Sequence, residues 1–472
     1  MASSTINREP WLARFFSCSP ASLIFSRRYQ HLPNEPQLPC RERQPPTRRT
    51  SMSTPNSICV GIELEFLVAL QQPDSGVVDG ESRWTCPSSE KASQGLVTGD
   101  FQAFEAPCIH KVCESIASNG VAVSCNLMPP LTPNPERVPG TTVLPLTKGS
   151  GIRVWNKEAA ASKSGIVSRS DYWFVVPERH ITLDCVSKSG KTPSDKYDWF
   201  GTELNSPILT HPQEFSQGLP TLRKCLTAVQ DKMVVALNSG CGLHLHVNDA
   251  GSMDLPTAKR ITSLVWLLED ALLYPLCHPF RSASPYSARV SVESTIAMGD
   301  GEPVVHGEGA AHIAALVTIV EKLKDRKKVD KALVGAMKRL WAEPNLASLG
   351  RALRKFDEGP VHTTTRCALV VSKYDTIEFR YPESMFDVDF ISGWADLVRH
   401  LYAVAMRSQT EFIQILCRVY ELVTRDQVPG WPAMMEAVEF KTDLNRWQRR
   451  LDQYSGLLSN LDKQGILPQV GS

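Results

Sequence analysis

Residues 58–68 read Ile58-Cys59-Val60-Gly61-Ile62-Glu63-Leu64-Glu65-Phe66-Leu67-Val68. Ile58, Val60, Ile62, Leu64, Phe66 and Val68 alternate with Cys59, Gly61, Glu63, Glu65 and Leu67, which is the period-2 pattern of a strand with one apolar face. Residues two apart on a strand point the same way, so Glu63 and Glu65 emerge together, ~6.5–7 Å apart, with Ile62, Leu64 and Phe66 behind them. Such a face is either solvated or part of a site. Paired carboxylates supply the oxygen ligands that Mg²⁺ prefers.

Three further stretches repeat the arrangement. In Asn238-Ser239-Gly240-Cys241-Gly242-Leu243-His244-Leu245-His246-Val247-Asn248, two imidazoles share one strand face and Leu243, Leu245 and Val247 line the other. Gly240 and Gly242 permit a close backbone approach just before that strand, and a His-x-His pair suits a metal or a phosphate. In Thr376-Ile377-Glu378-Phe379-Arg380-Tyr381, an acid and a guanidinium face one way, with a cross-strand ion pair as the plainer reading. In Gly201-Thr202-Glu203-Leu204-Asn205-Ser206-Pro207, an acid ends a strand before a Pro turn. Each signal is weak alone. Together they imply one sheet face crowded with ionisable groups, whose burial without metal, substrate or phosphate would be costly.

The rest of the pattern predicts an α+β chain in which helices cover the other sheet face. Strands are expected at Val121–Leu127, Asp171–Val176, Asp198–Leu204, Gly242–Val247, Thr364–Ser372 and Thr376–Tyr381. Helices are expected over Asp100–Asn119, Gln213–Met233, from an Asp254 cap to Leu276, and over 311–323, 329–341, 346–356, 388–424 and 440–462. Residues 71–97 and 128–170 read as irregular, and 278–310, rich in Ser, Gly and Pro, reads as a mobile loop. No internal repeat is visible.

Composition narrows the function classes. The 472 residues carry 51 Lys+Arg against 50 Asp+Glu, so no concentrated basic face marks a nucleic-acid binder. No run approaches the ~18–20 uncharged apolar residues of a spanning helix. Thirteen scattered cysteines without a CxxC pair support neither a disulfide framework nor a four-cysteine zinc site, and favour a reducing compartment. Residues 1–54 stand apart, with eight Arg, no Lys and three acids. That leader reads as a mitochondrial transit peptide, as a disordered basic tail, or as a segment upstream of the real or a second start at Met52. The expected location is cytoplasmic, or mitochondrial if residues 1–30 act as a transit peptide.

The motifs GIELEF, TELNSP, CGLHLHVN and TIEFRYPE, in this order and spacing, resemble the fungal branch of the amidoligase family across about residues 57–410. That family is related to glutamine synthetase and glutamate–cysteine ligase. The resemblance implies a half-open antiparallel barrel or sheet covered by helices, with a catalytic domain over 55–430 and a C-terminal helical tail over 431–472. It implies ATP-dependent activation of a carboxylate as an acyl phosphate, then attack by an amine, with Mg²⁺ or Mn²⁺ as cofactor. The substrate would be an amino acid, a peptide or another small molecule. Oligomeric state stays open.

Residue by residue, the resemblance makes Glu63, Glu65, Glu203, His244 and Glu378 metal ligands and puts His246 near the nucleotide phosphates. Arg380 would stabilise charge on the transferred phosphoryl, with Glu378 and Glu203 counted beside it in the catalytic set. Arg281, in His278-Pro279-Phe280-Arg281, would hold a substrate carboxylate. Around Trp173 the family commonly has an Asp-x-Ser element. This chain has Trp173-Phe174-Val175-Val176-Pro177-Glu178-Arg179-His180, so Glu178 stands in for the Asp and His180 takes the Ser position, with Trp173 and Glu178 as substrate contacts. The segment 285–310 would shield the acyl phosphate as a lid. Two rival readings are a metal-dependent hydrolase or cupin-like enzyme around His244 and His246, and a non-catalytic descendant that binds a nucleotide or metabolite.

Overall fold

The computed structural model describes residues 58–71, 80–87, 105–125, 141–147, 150–155, 172–181, 197–238, 240–250, 253–282, 284–322, 327–355, 366–372, 374–425 and 427–464. The leader over 1–54 lies outside them.

Among the described residues, ten strands form one sheet: β1 (Ile58–Gln71), β2 (Val123–Cys125), β3 (Thr141–Thr147), β4 (Ser150–Trp155), β5 (Trp173–Pro177), β6 (Tyr197–Asn205), β7 (Val235–Ala236), β8 (Leu243–Asp249), β9 (Leu369–Val371) and β10 (Ile377–Phe379). Their order is β3-β4-β2-β5-β6-β1-β8-β10-β9, with β7 pairing β1. The sheet is open among the described residues. It is also mixed, because β2 runs parallel to β4 and β5 while the remaining ladders are antiparallel. The expected all-antiparallel half-barrel is corrected on that point: β2 enters beside β5 through the helix Glu105–Ser118, and a connection of that length permits a parallel pair.

β1 is the spine. Up to Glu65 its outward residues are only partly covered, as the alternation predicts, but from Glu65 to Leu70 every residue is buried. There β7 and β6 flank it and the chain passes through the core. The apolar face of the central strands, Ile62, Leu64, Leu243, Leu245 and Phe379, is buried beneath helices such as Val388–Ala405. That helix buries Ile391, Trp394, Leu397, Val398 and Leu401 at helical spacing. The opposite face carries the ionisable groups.

Several boundaries differ from expectation for local reasons. β3 and β4 lie inside the stretch read as irregular, where Pro145 hides the strand signal, and the ladder shifts register between Pro145 and Thr147. The helix expected over Gln213–Met233 is two helices, Pro212–Ser216 and Pro220–Lys232. Gly218 and Leu219 between them take left-handed dihedrals (φ 68° and 56°), and Pro220 begins the second. The helix over 388–424 breaks at Ser408, whose hydroxyl and Glu411 form a capping box that starts Gln409–Val423. A short helix at Trp431–Ala437 escaped notice. Asp254 does cap its helix, accepting from the Thr257 N–H at 2.6 Å.

That helix changes to a π-turn at Glu269–Leu273, which places the Glu269 carboxylate in the core. It accepts from the Val290 and Ser291 N–H groups at 2.9 and 2.8 Å and from the Tyr381 hydroxyl at 2.7 Å. The described residues of 279–298 consequently form a chain of short helical turns anchored from inside, followed by 299–306 without regular structure. The C-terminal helix Leu444–Gln464 joins the same body. Trp447 packs on Trp394 (ring centroids 6.0 Å apart), and the Tyr454 hydroxyl donates to buried Glu383. No helix among the described residues is long and apolar enough to cross a membrane.

Candidate active site

Strand register brings the four motifs together. Across β1–β8, Glu63 is opposite His244 and Gly61 opposite His246; across β8–β10, His246 is opposite Glu378. Across β1–β6, Glu65 is opposite Glu203, and across β5–β6, Glu203 is opposite Val176. The strand reading of the sequence therefore predicts the right face for Glu63, Glu65, His244, His246, Glu203 and Glu378.

The side chains form two groups. Glu63, His246 and Glu378 place ligand atoms within 4.8 Å of one another, and so do Glu65, Glu178 and Glu203. Each triad has the composition and spacing to hold a cation. His244 sits between them: its Nδ1 is 3.3 Å from Glu63 Oε2 and 3.9 Å from Glu378 Oε1, and its Nε2 is 3.8 Å from Glu65 Oε1. His246 is fixed by a 2.8 Å contact from Nδ1 to the Thr376 hydroxyl, leaving Nε2 3.1 Å from Glu63 Oε1. The buried Nε2 atoms of both histidines lack a hydrogen bond.

Electrostatics separates the acids. Burial pushes Glu63 up, but the His244 contact and the close imidazoles of His244 and His246 outweigh it and hold Glu63 well below the usual carboxylate range. Glu378 is likewise lowered: burial opposes ionisation, and the Arg380 charge leads the groups that overcome it. Glu203 goes the other way. Burial, then the negative charge of Glu63, push it up to about 8, although Asn205 Nδ2 donates to it at 2.8 Å. His246 is raised because the Glu63 carboxylate outweighs the effect of burial.

Two cavities meet at Glu63. One, of about 440 Å³, is lined by Glu63, Glu65, Glu178, Glu203, His244, Arg366 and Arg380 among others. The other, of about 590 Å³, is lined by Val60, Ile62, Phe174, Asn205, Ile208, His246, Asp249 and Tyr374 among others. Arg380 donates to Glu378 and lies 3.3 Å from His244 Nδ1 through Nη1, while its buried Nε makes no hydrogen bond.

Glycines make room for this packing. A Cβ on Gly242 would lie 2.6 Å from both Arg281 Nη2 and His244 Nε2 and 3.2 Å from Glu65 Oε2. Its backbone N–H donates to Glu65 Oε2 at 2.6 Å. A Cβ on Gly201 would lie 2.1 Å from the Glu178 carbonyl oxygen, so a side chain there would push the Glu178 turn off β6.

The remaining residues fall differently. Glu178 joins Glu65 and Glu203 at the second triad. Trp173 is 3% exposed in the hydrophobic core and lines neither cavity, whereas its neighbour Phe174 lines the larger one. Arg281 is 1% exposed, lies behind Gly242 and lines neither cavity; its Nη2 donates to the Arg380 carbonyl at 3.2 Å, and its Nε and Nη1 make no hydrogen bond. Sequence reasoning missed Arg366, the accessible guanidinium of the acidic cavity, 3.7 Å from Glu378 Oε2. Its signal was faint: one charge entering an otherwise apolar strand. It also missed Thr376, which orients His246.

No curated protein and no solved structure matches the chain significantly. Residues 127–298, which include β5, β6, β8 and the His278–Arg281 turn, match the family model described as "Putative amidoligase enzyme". Over that stretch, about a third of its length, the chain is similar to the amidoligase family.

Proposed function

We propose that the chain is an ATP-dependent carboxylate–amine ligase acting on an amino acid, a peptide or another small molecule. The family match supports a ligase-type enzyme. The observation that carries the finer reading is the pair of acid-rich triads on one sheet face, Glu63–His246–Glu378 and Glu65–Glu178–Glu203, joined through His244. Five carboxylates and one imidazole form an oxygen-dominated donor set, which suits Mg²⁺ or Mn²⁺ better than the nitrogen- and sulfur-rich sets of zinc enzymes. The His246 Nε2 atom, buried without a hydrogen bond, fits the same role. Bound there, divalent cations would neutralise phosphate charge.

The proposed reaction has two steps. A carboxylate oxygen of the substrate attacks the γ-phosphorus of ATP, forming an acyl phosphate and releasing ADP. The amine nitrogen then attacks the acyl carbon, loses a proton and expels phosphate, leaving an amide. Arg380 would stabilise the charge that spreads over the transferring phosphoryl oxygens. Glu203, which burial and the Glu63 charge keep protonated near neutral pH without a cation, would give up that proton as a cation binds beside Glu65 and Glu178. The larger cavity has room and apolar walls for a nucleoside, with Asp249 available to ribose hydroxyls.

The test is phosphate release from ATP with Mg²⁺, screened against paired amino acids, polyamines and peptides. Release that requires both an acid and an amine supports the ligase. Nucleotide binding without turnover over the whole panel would favour a non-catalytic descendant, and stoichiometric zinc in the purified protein would favour the hydrolase.

A further inference from the structure

Arg366 lies just before β9 in the acidic cavity, outside the four sequence motifs that carry most of the other site residues. Its side chain is 57% exposed, and Nη1 is 3.7 Å from Glu378 Oε2. Glu378 is itself 1% exposed, and its other oxygen is already held by Arg380. One buried carboxylate thus has two guanidinium groups at its edge, one close and enclosed, one distant and open to the cavity. An exposed ion pair of that length contributes little to stability, so Arg366 is not needed there to hold the fold.

The charges around Glu378 say what Arg366 awaits. Glu378 belongs to the triad with Glu63 and His246 that suits a divalent cation. A cation there would compete with Arg366 for the Glu378 carboxylate and would repel the guanidinium. The repulsion is relieved if an anion arrives with the cation and offers its own oxygens, and a guanidinium fork matches phosphate oxygens two at a time. Arg366 can swing to meet such an anion, whereas Arg281 is enclosed behind Gly242 and lines neither cavity.

We propose that Arg366 is a second phosphate-binding arginine of the site, which exchanges its loose pairing with Glu378 for the terminal phosphate of a cation-bound nucleotide. This rests on the ligase reading. It makes the two arginines unequal: Arg380 is preset against Glu378 and His244, while Arg366 engages only when nucleotide is present.

Thermal shift of the full chain separates these roles without requiring turnover. Chelator-stripped wild type, Arg366→Ala and Arg366→Lys are melted alone, with Mn²⁺, and with Mn²⁺ plus a non-hydrolysable ATP analogue titrated to saturation. Arg366→Ala should keep or enlarge the shift caused by Mn²⁺ alone, because a competing positive charge is gone. It should weaken analogue affinity about tenfold or more, and Arg366→Lys should restore part of the loss. Unchanged analogue affinity in Arg366→Ala overturns the proposal. So does a parallel loss of the Mn²⁺ and analogue shifts, which would mark Arg366 as structural. A wild type that binds no analogue while still responding to Mn²⁺ defeats the ATP reading and this proposal together, and so is distinct from failure of Arg366 alone.

Discussion

Glu65 and Glu203 stand directly opposite each other across the β1–β6 ladder, two acids where a sheet ordinarily avoids like charges. Burial and the neighbouring carboxylates push Glu203 up to about 8, so in metal-free solution near pH 7 it keeps a proton. The pair is tolerated because only one member need be ionised. A cation between Glu65, Glu178 and Glu203 would reverse that preference.

Glu203→Gln should therefore leave the metal-free protein within about 1 kcal/mol of wild-type stability at pH 7, since the amide resembles the protonated acid and can still accept from Asn205. Its cost should appear with metal, as loss of most of the Mn²⁺-dependent rise in melting temperature. Melting curves with chelator and with Mn²⁺ check both halves. A full Mn²⁺ shift in the variant would remove Glu203 from the cation site.

Gly242→Ala tests the packing of the site. The new Cβ would meet Arg281 Nη2 and His244 Nε2 at 2.6 Å, closer than real contacts allow. Both side chains are fully buried and have little room to retreat. Overpacking of this kind costs ~1–3 kcal/mol, and a displaced His244 and Glu65 should lower phosphate release by about 10²-fold. Chemical denaturation alongside a phosphate-release assay reads both numbers. Wild-type values for each would show that Arg281 and His244 move freely.

The central sheet was legible because its code is short. Glu63 and Glu65, His244 and His246, and Glu378 and Arg380 are each two apart on strands, so period alone predicts the shared face. What was hidden depends on contacts between distant segments. Arg281 reads as a ligand-binding arginine in a His-Pro-Phe-Arg turn, but only the position of Gly242 shows that it is enclosed. Arg366 precedes β9, whose register sets Val370 opposite Glu378, and comes within 3.7 Å of that acid only through its long side chain, so nothing in its own neighbourhood announces it. Residues 285–298 looked like a loose loop because Ser and Pro start short helical turns as readily as they populate loops. The anchor is Glu269, delivered by a π-turn that no periodicity reveals.

A pH response should arise far from the site, at His312. Its ring stacks on Phe412 (5.3 Å between centroids) and tilts against Trp341 (4.2 Å), with 1% of its side chain exposed. Burial drives its pKa down to about 4 from 6.5, against the partial pull of Glu308. A base whose folded pKa is depressed contributes stability that is complete above pH 6.5 and is lost as pH falls from 6.5 towards 4. The loss is on the order of 2–3 kcal/mol. His278 and His400 are lowered for the same reason and add to the slope. His312→Phe should make denaturation midpoints measurably less pH-dependent between 7.5 and 4.5. An equal slope in the variant would assign the acid sensitivity elsewhere.

Arg380 gives the sharpest test of mechanism. Its guanidinium holds Glu378 and reaches to 3.3 Å from His244 Nδ1, and its Nε faces the interior without a hydrogen bond. Pairing with Glu378 alone would make it a structural ion pair, whose loss lowers stability and leaves the chemistry alone. A role at the phosphoryl group makes a different demand, because negative charge spreads over the equatorial oxygens only as transfer proceeds. Arg380→Lys separates the two, since it keeps the charge beside Glu378 but loses the planar fork. Turnover should fall about 10²-fold or more while ATP affinity weakens far less, the kinetic sign of an interaction made chiefly in the transition state. Stability should fall by a few kcal/mol at most, because a buried carboxylate still has a cation beside it. Melting temperature and steady-state kinetics on one preparation measure both. A destabilised variant with wild-type turnover would leave Arg380 as Glu378's partner and nothing more.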